Sequence, residues 1–256
     1  MKIKFQWIGG ATFILHIDNL KIAVDPVLCP KGSVQDYFWF KSERIEAPVY
    51  QKSDFKQIDL WLITHNHEDH IDQIGLAHID NNIPVISNKN TAKLLKRHHK
   101  NLVAALKWKQ NFTLQIKTYQ ISIEAVAAIH GVNPLSALLA GKGNGYFVSI
   151  QKGNENFSFY LTGDTVYTKK IKKQLVNKKI DLMIPNMGAA QQNTWIMTLT
   201  LNSKMLKKLI RELQPVKVIP VHYGTFKHYK EPVSKIKALQ DSRIGIIPVG
   251  SHYTLI

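Results

Sequence analysis

The chain has 256 residues, of which 45% are hydrophobic and 20% are charged, a composition typical of a folded globular protein and not of a disordered one. Its 34 basic and 18 acidic residues give a formal net charge of +16. Lysine supplies nearly all of the positive charge, whereas proteins that read nucleic acid rely on arginine and on aromatic stacking. The charge therefore favours a lysine-covered surface or the attraction of a small anionic substrate, and it disfavours nucleic acid as a partner.

The sequence also contains indications of the protein's cellular compartment. No stretch reaches the roughly 18 apolar residues that a membrane-spanning helix requires. Residues 1–8 alternate polar and apolar side chains like a strand, and no small-residue cleavage site follows them, so we expect no secretory signal. Cys29 is the only cysteine, which excludes an intrachain disulfide and suits a reducing compartment. We therefore predict a cytoplasmic protein without a transmembrane segment, and leave a homo-oligomer open.

The first part of the chain predicts three strands, at residues 2–5, 12–17 and 20–24, with a glycine turn after the first. The third strand ends at Asp25-Pro26, because proline has no N–H group to donate to a sheet. Asp25 could support a metal ligand from this strand end, or it could form a simple turn. Residues 28–57 lack periodicity and contain Tyr37-Phe38-Trp39-Phe40, which predicts either one wall of a substrate pocket or a packed edge of the core.

Residues 58–72 join a buried strand to a dense group of metal-ligand side chains. Residues 58–63 form a mostly apolar run of strand length, and His65-x-His67-x-Asp69-His70 follows directly. Imidazole and carboxylate groups are the ligands that zinc prefers, at roughly 2.0–2.2 Å. A solvated surface turn gives no reason for four such side chains after so apolar a strand. The motif therefore predicts a metal site on a turn at the end of a sheet.

The remaining hydrophobic pattern predicts alternating helices and strands. The helices are expected at residues 72–79, 91–96, 203–213 (capped by Asn202) and 233–239, and the strands at residues 83–86, 114–119, 121–128, 146–150, 157–162, 181–185, 217–221 and 244–249. Two histidines, His130 and His222, stand just past such strands. Asp164 follows another, between Gly163 and Thr165, where it could bridge two cations or belong to a plain turn.

We find no repeat, no low-complexity linker and no break in composition, which predicts a single domain over residues 1–256. Strands followed by helices, with the candidate ligands at strand ends, predict two sheets packed face to face and covered by helices. This is an α/β fold, specifically a four-layer αββα sandwich.

The motif His65-x-His67-x-Asp69-His70 resembles the signature of the metallo-β-lactamase fold hydrolases. The likeness runs from Trp7-Ile8-Gly9-Gly10-Ala11-Thr12 to Ile219-Pro220-Val221-His222-Tyr223-Gly224-Thr225-Phe226, and these flanks resemble the branch of ascorbate-6-phosphate lactonases and, more distantly, of N-acyl-phosphatidylethanolamine phospholipases D. The resemblance implies one metal ion on His65, His67 and His130. It implies a second ion on Asp69, His70 and His222, with Asp164 as the bridge, so that Asp69 and Asp164 are the catalytic carboxylates.

The activity implied by this resemblance is metal-dependent hydrolysis by a metal-activated bridging water, with two divalent ions about 3.5–4 Å apart. The expected substrate is a small, anionic lactone, ester or phosphoester. Zinc is favoured over iron because His67 stands where oxygen-reducing di-iron relatives usually carry a carboxylate, and manganese is the alternative because Asp69 and Asp164 suit harder ions. A nucleic-acid phosphodiesterase and a non-catalytic metal-binding protein of the same fold remain as alternatives.

Two segments, residues 131–135 and 191–195, match no single characterised member of the family, and we expect substrate contacts there. Three other histidines are not expected to bind metal. His252 is interpreted as structural or as a support for a ligand, and the pair His98-His99 as part of a lysine-rich surface.

Overall fold

The structure, a computed structural model, describes residues 1–37, 40–132, 141–191 and 198–255. No helix in these four ranges combines the length and the apolar character needed to cross a membrane. The strands are β1 (Ile3–Gly9), β2 (Thr12–Ile17), β3 (Leu20–Val24), β4 (Val34–Asp36), β5 (Lys41–Glu43), β6 (Leu60–Leu62), β7 (Val85–Asn88), β8 (Leu102–Leu106), β9 (Asn111–Ile116), β10 (Tyr119–Ile129), β11 (Lys142–Lys152), β12 (Glu155–Leu161), β13 (Leu182–Ile184), β14 (Lys217–Val218) and β15 (His252–Thr254). The α-helices are α1 (Gln73–His78), α2 (Lys89–Arg97), α3 (Lys169–Leu175), α4 (Ser203–Leu213) and α5 (Val233–Lys237), and Lys52–Phe55 form a short 3₁₀ helix.

Two main sheets form the centre of the fold. The first has seven strands in the order β15-β1-β2-β3-β6-β7-β8, and the second has six in the order β14-β13-β12-β11-β10-β9. Strands β3, β6, β7 and β8 are parallel, as are β12, β13 and β14. A separate hairpin pairs β4 with β5.

Side-chain alternation shows that the first sheet is covered on both faces. In β2, Phe13 and Leu15 point into the large core between the sheets, whereas Ile14 belongs to a second buried cluster on the outer face. In the same way Leu62 of β6 joins the large core and Trp61 joins the outer cluster, where Leu76 of α1 and Leu95 of α2 lie.

The second sheet is covered by α3 and α4, whose buried side chains extend the large core. The layers are therefore helix, sheet, sheet, helix, and the predicted αββα sandwich is confirmed. The predicted cap of α4 is also confirmed, because the side chain of Asn202 accepts a hydrogen bond from the backbone N–H of Met205.

Some predicted boundaries and one predicted strand are wrong. Residues 244–249 do not form a strand: only Ile244 makes a bridge, to Val218, and the chain instead adds β15 to the edge of β1. Proline at position 248 has no N–H group to continue a ladder, which accounts for the break. Strand β8 was not predicted, and Tyr119 opens β10 instead of closing the strand before it.

The direction of the strands decides where the polar loops meet. The carboxyl ends of β3 and β6 lie at one edge of the first sheet, and those of β10, β12, β13 and β14 lie at the facing edge of the second. Side chains that follow these strands share one end of the sandwich. The candidate ligands all follow strands of this set.

Candidate metal centre

The seven predicted ligands converge into two groups at this end of the sandwich. The side chains of His65, His67 and His130 form one group, and those of Asp69, His70, Asp164 and His222 form the other; within each group the ligand atoms lie within 4.8 Å of one another. All seven are buried except His67, which is partly buried. None of the predicted site residues lies elsewhere.

The first group consists of three imidazoles. Nε2 of His65 and Nδ1 of His67 are 3.0 Å apart, and the rings of both lie within 5.0 Å of the ring of His130, measured between centroids. Burial, followed by electrostatic interaction with the neighbouring His130, lowers the pKa of His67 to about 4. Burial likewise lowers the pKa of His65 well below 6.5. At neutral pH both rings therefore present lone pairs, the form that ligates a metal.

The second group brings several hydrogen-bond acceptors together. Nδ1 of His222 is 3.2 Å from the carbonyl oxygen of Met187, which can only accept, so we assign a proton to Nδ1, and Nε2 faces the other members of the group. That Nε2 lies 3.0 Å from Nε2 of His70 and 3.3 Å from Oδ2 of Asp69. Nitrogen and carboxylate oxygen atoms this close to one another repel unless a proton or a metal ion lies between them.

The electrostatics of the second group point to a cation. Burial alone would lower the pKa of His70, but the carboxylates of Asp164 and Asp25 outweigh burial and raise that pKa well above 6.5. Burial alone would raise the pKa of Asp69, yet hydrogen bonds from His222 and His228 hold it well below 3.8. The pKa of Asp164 is likewise held well below 3.8, by His222 and His70 against burial, so the carboxylates of Asp69 and Asp164 are charged and attract either a proton or a metal ion to the group.

Asp164 lies between the two groups. Its Oδ2 is 3.3 Å from Nε2 of His130, and its Oδ1 is 3.1 Å from Nε2 of His70. Asn186, after β13, donates from Nδ2 to the same Oδ1 at 2.9 Å. The turn before Asp164 requires glycine at position 163. The φ angle there is +57°, and an added Cβ would lie 2.5 Å from the carbonyl oxygen of Asn144.

Asp25 supports the second group, as one of the two sequence interpretations expected. Its Oδ2 is 2.8 Å from Nδ1 of His70 and accepts a 2.6 Å hydrogen bond from the hydroxyl of Thr64, while Oδ1 accepts from the backbone N–H of Thr64 at 2.7 Å. The carboxylate thereby fixes the His70 ring with Nε2 directed at Asp164. Asp25 and His222 both have left-handed φ values, 42° and 63°, a conformation that is costly without glycine and is concentrated at functional sites.

Sequence reasoning missed the residues that hold Asp69. Nε2 of His228 and the hydroxyl of Tyr229 each lie 3.1 Å from Oδ2 of Asp69, and Nδ1 of His228 lies 2.6 Å from the hydroxyl of Ser42. The other oxygen, Oδ1, is buried and has no hydrogen-bond partner in the described part of the chain. The only signal available was that His228 and Tyr229 lie shortly after the predicted ligand His222.

The aromatic segment before the motif reaches the site. The ring of Tyr37 stacks on that of Phe40 at 4.6 Å and lies edge-on to His228 at 5.4 Å and to His67 at 6.0 Å. These contacts place Tyr37 beside His67 of the first group and beside His228, which holds Asp69 of the second. That the segment forms one wall of a substrate pocket stays a prediction. Phe38 and Trp39 lie outside the described residues, as do residues 133–135 and 192–195 of the two segments in which we expected substrate contacts.

The donor set fits one or two divalent metal ions. It offers five imidazoles, two charged carboxylates and an orphaned buried carboxylate oxygen on Asp69, in two groups joined by Asp164. Nitrogen and oxygen donors of this kind suit zinc, and the carboxylates extend the range to harder ions.

Comparison with known proteins agrees with this geometry. The family described as "Beta-lactamase superfamily domain" matches residues 21–223. A "UPF0173 metal-dependent hydrolase" from Archaeoglobus fulgidus is 26% identical, over 98% of this chain and 98% of the relative. The "N-acyl-phosphatidylethanolamine-hydrolyzing phospholipase D 1" of Caenorhabditis elegans is also 26% identical, over 93% of this chain and 69% of the relative. A crystal structure from Veillonella parvula, described as a possible metal-dependent hydrolase, covers 99% of this chain and 100% of its own, with a TM-score of 0.82 and 21% identity.

The matched range includes most of the fold and every candidate ligand. The chain therefore belongs to the β-lactamase superfamily domain family and is a metal-dependent hydrolase of the metallo-β-lactamase fold. This confirms the family and the enzyme class predicted from the sequence. The lactonase branch suggested by the flanking segments stays a prediction.

Proposed function

We propose that this hydrolase works with two divalent metal ions, one on His65, His67 and His130 and one on Asp69, His70 and His222, with Asp164 shared between them. The observation that carries the proposal is the position of Asp164, because its two oxygens face different groups, at 3.1 Å from His70 and 3.3 Å from His130. A carboxylate in this position can serve both ions and offset their mutual repulsion.

The side chains of the site have different roles in the proposed reaction. Two bound divalent ions would supply a nucleophilic hydroxide from water at neutral pH and would polarise the oxygen of the bond to be cleaved. The imidazoles hold the ions without neutralising their charge, and Asp25 keeps His70 in the orientation that ligation requires. His228 and Tyr229 hold Oδ2 of Asp69, which leaves Oδ1 free to ligate. Tyr37 and Phe40 exclude water from one side of the reacting bond.

Zinc is the proposed metal. Five imidazoles and two carboxylates are available, and imidazole nitrogen suits zinc better than magnesium or calcium. Manganese is the alternative that the two carboxylates support.

The proposed substrate is a small anionic lactone, ester or phosphoester. The net charge of +16 supports an anionic substrate through long-range attraction. The name of the Caenorhabditis elegans relative says that it hydrolyses N-acyl-phosphatidylethanolamine, which supports a phosphoester as one of the three bond types. A single domain over residues 1–256 and a cytoplasmic location belong to the same proposal.

Metal analysis beside a hydrolysis screen tests the proposal. Protein purified without added metal should contain about two zinc ions per chain, and replacing His65 and His67 together by alanine should remove about one of them. The matched control replaces His98 and His99, which lie outside the site, and should keep both ions. The screen offers lactones, carboxylic esters and phosphodiesters. Fewer than one ion per chain, or equal metal content in both double variants, would contradict the two-metal site.

A further inference from the structure

A cavity of about 340 Å³ lies next to the first group of ligands. It lies between the start of α2, the turn after β8 and the start of β11, and we call it the Trp108 pocket. Its lining includes Asn88, Lys89, Lys107, Trp108, Lys142 and Asn144. Its volume is within the range of about 300–1,000 Å³ that small-molecule sites occupy.

The Trp108 pocket adjoins the metal ligands through the backbone of Thr64 and Gly143. Two lining residues donate to the carbonyl oxygen of Thr64: Asn88 from Nδ2 at 2.7 Å and Asn144 from its backbone N–H at 3.0 Å. A Cβ added to Gly143 would lie 3.5 Å from the Cβ of His65. One residue of β11 therefore separates the pocket from a proposed metal ligand.

Trp108 is held in place at this boundary. Its indole N–H donates to the carbonyl oxygen of Gly143 at 2.8 Å, so the ring is tied to the residue that packs against His65. The ammonium groups of Lys142 and Lys170 lie over the indole ring at 5.8 Å and 5.6 Å from its centroid. Contact with the ring keeps both charges beside Trp108.

Acidic side chains of the described residues do not neutralise these charges. In the described residues, Lys89, Lys107, Lys142 and Lys170 form no ion pair. Residues 81–154 contain nine lysines and one arginine but a single acidic residue, Glu124. Glu124 already pairs with Lys178 at 2.7 Å. Residues 133–140 and 192–197, which lie outside the described part of the chain, contain no Asp or Glu by sequence.

We propose that the Trp108 pocket binds the anionic group of the substrate, a phosphate or a carboxylate, while the bond to be cleaved lies at the metal centre. The proposal rests on the proposed function and adds the position at which the substrate's charge is recognised. A small anion fits better than nucleic acid, because the lysines surround one cavity with a single tryptophan, without arginine at its lining and without a series of aromatic rings.

The first test is independent of catalysis. The zinc-loaded protein, labelled with ¹⁵N, gives indole N–H signals, and the Trp108 signal is assigned as the one lost in Trp108→Phe. Titration with sodium phosphate and with sodium acetate at constant ionic strength should shift this signal saturably. The tighter of the two anions identifies phosphate or carboxylate as the preferred group.

Two pairs of lysine substitutions of equal charge provide the comparison. Lys107→Gln with Lys142→Gln removes two exposed charges from the pocket and should weaken anion binding at least about tenfold. Lys204→Gln with Lys207→Gln removes two exposed charges from α4 and should change it less than twofold. Absence of a Trp108 shift, or equal weakening in both double variants, overturns the proposal. So does a Trp108 shift produced by a single-stranded oligonucleotide at concentrations where neither small anion acts.

A matched pair of esters links the pocket to turnover. 4-Nitrophenyl hydrogen glutarate carries a terminal carboxylate, and 4-nitrophenyl pentanoate has the same chain length without it. The Lys107/Lys142 variant should raise KM for the glutarate ester about tenfold and leave KM for the pentanoate ester within twofold. An equal change for both esters overturns the proposal. If neither ester is cleaved, ester hydrolysis fails as the proposed function, and the indole titration still decides whether the pocket binds anions.

Discussion

At the scale of single residues, the site contains three buried carboxylates, and each has different hydrogen-bond partners. Asp25 contacts Thr64 and His70, and it is fully buried. Asp69 has one oxygen held by His228 and Tyr229 and one oxygen without a partner among the described residues. Asp164 faces both groups of ligands. A buried charge without partners is costly, so the unpartnered oxygen of Asp69 and the position of Asp164 between the groups both imply a cation nearby.

Asp164→Ala tests the shared carboxylate. The substitution removes the negative charge between the groups, so the second group, left with Asp69, His70 and His222, should lose its ion before the three-histidine group does. Hydrolysis should fall about a hundredfold or more, the size expected for loss of one charge-stabilising group. Zinc content and turnover are measured on the same preparation.

Asp164→Asn serves as the conservative comparison. It keeps an oxygen in place and should retain more metal than Asp164→Ala, while turnover stays impaired because the charge is gone. If Asp164→Ala kept two ions and near-normal turnover, the segment Gly163-Asp164-Thr165 would be only a turn, and the metal ions would have to be held without a bridge.

At the scale of secondary-structure elements, α1 is positioned by the loop that carries Asp25. Asp72 caps the helix by accepting from the backbone N–H of Gly75 at 2.6 Å, and its other oxygen accepts from the backbone N–H groups of Leu28 and Cys29 at 2.7 and 2.6 Å. The helix and the loop after β3 are thus connected through one side chain. Movement of either element would be transmitted to Asp25.

Gly75→Ala tests this contact. Alanine favours a helix over glycine by about 1 kcal/mol, which predicts stabilisation at an open position. Here an added Cβ would lie 1.8 Å from the carbonyl oxygen of Pro26 and 2.6 Å from its carbonyl carbon, and backbone atoms cannot rotate away. We expect destabilisation of about 1–3 kcal/mol by urea unfolding, with weaker zinc binding because the Asp25 loop is displaced.

Gln73→Ala in the same helix is the control for Gly75→Ala. Gln73 is exposed, so its replacement should change the free energy of unfolding by no more than about 0.5 kcal/mol. A Gly75→Ala protein as stable as the unsubstituted chain, or more stable, would show that α1 and the Asp25 loop adjust to each other without cost.

Local patterns were sufficient to predict some elements and not others. The strands at residues 12–17 and 20–24 and helix α4 have the predicted bounds, because alternation and a capping Asn are visible within a few residues. The metal motif lies within residues 65–70, so it too was visible without knowledge of the fold. Strand β8 is only partly buried and was missed, and the strand expected at residues 244–249 is replaced by β15, whose pairing with β1 depends on residues about 250 positions away in sequence.

The side chains that hold the candidate ligands could not be predicted either, because they come from distant parts of the sequence. His228 reaches Asp69, 159 residues earlier, through a turn whose sequence carries no metal-binding pattern. Asn186 reaches Asp164 from a neighbouring strand. Such contacts follow from strand order and direction, which a single sequence does not specify, whereas the ligand types follow from their own chemistry.

At the scale of the whole molecule, the core and the site are separate. The large core lies between the sheets, and its apolar residues come from nearly every main strand, whereas the ligands lie on loops at one end of the sandwich. Zinc fingers, by contrast, have little core and unfold without their metal. The core of this protein is large enough that the sandwich should fold whether or not the site is loaded.

Removal of metal should therefore lower the thermal stability without unfolding the chain. Ions that bind the folded state add about 2.7 kcal/mol when present at 100 times their dissociation constant. For a chain of this length, each kcal/mol changes Tm by about 2–4 °C, so treatment with a chelator should lower Tm by about 5–10 °C while the far-UV circular dichroism at 25 °C stays unchanged. Restoring zinc should restore Tm, and magnesium should not, since imidazole-rich sites favour zinc.

The variants already described make this measurement specific. Replacing His98 and His99 should leave the zinc-dependent rise in Tm intact, because neither residue is in the site. Asp164→Ala should reduce the rise to the contribution of one ion, because only the three-histidine group keeps its full set of ligands. If zinc raised Tm equally in the unsubstituted chain and in the His65/His67 double variant, the stabilising metal would bind elsewhere, and the convergence of seven buried ligands would need another explanation.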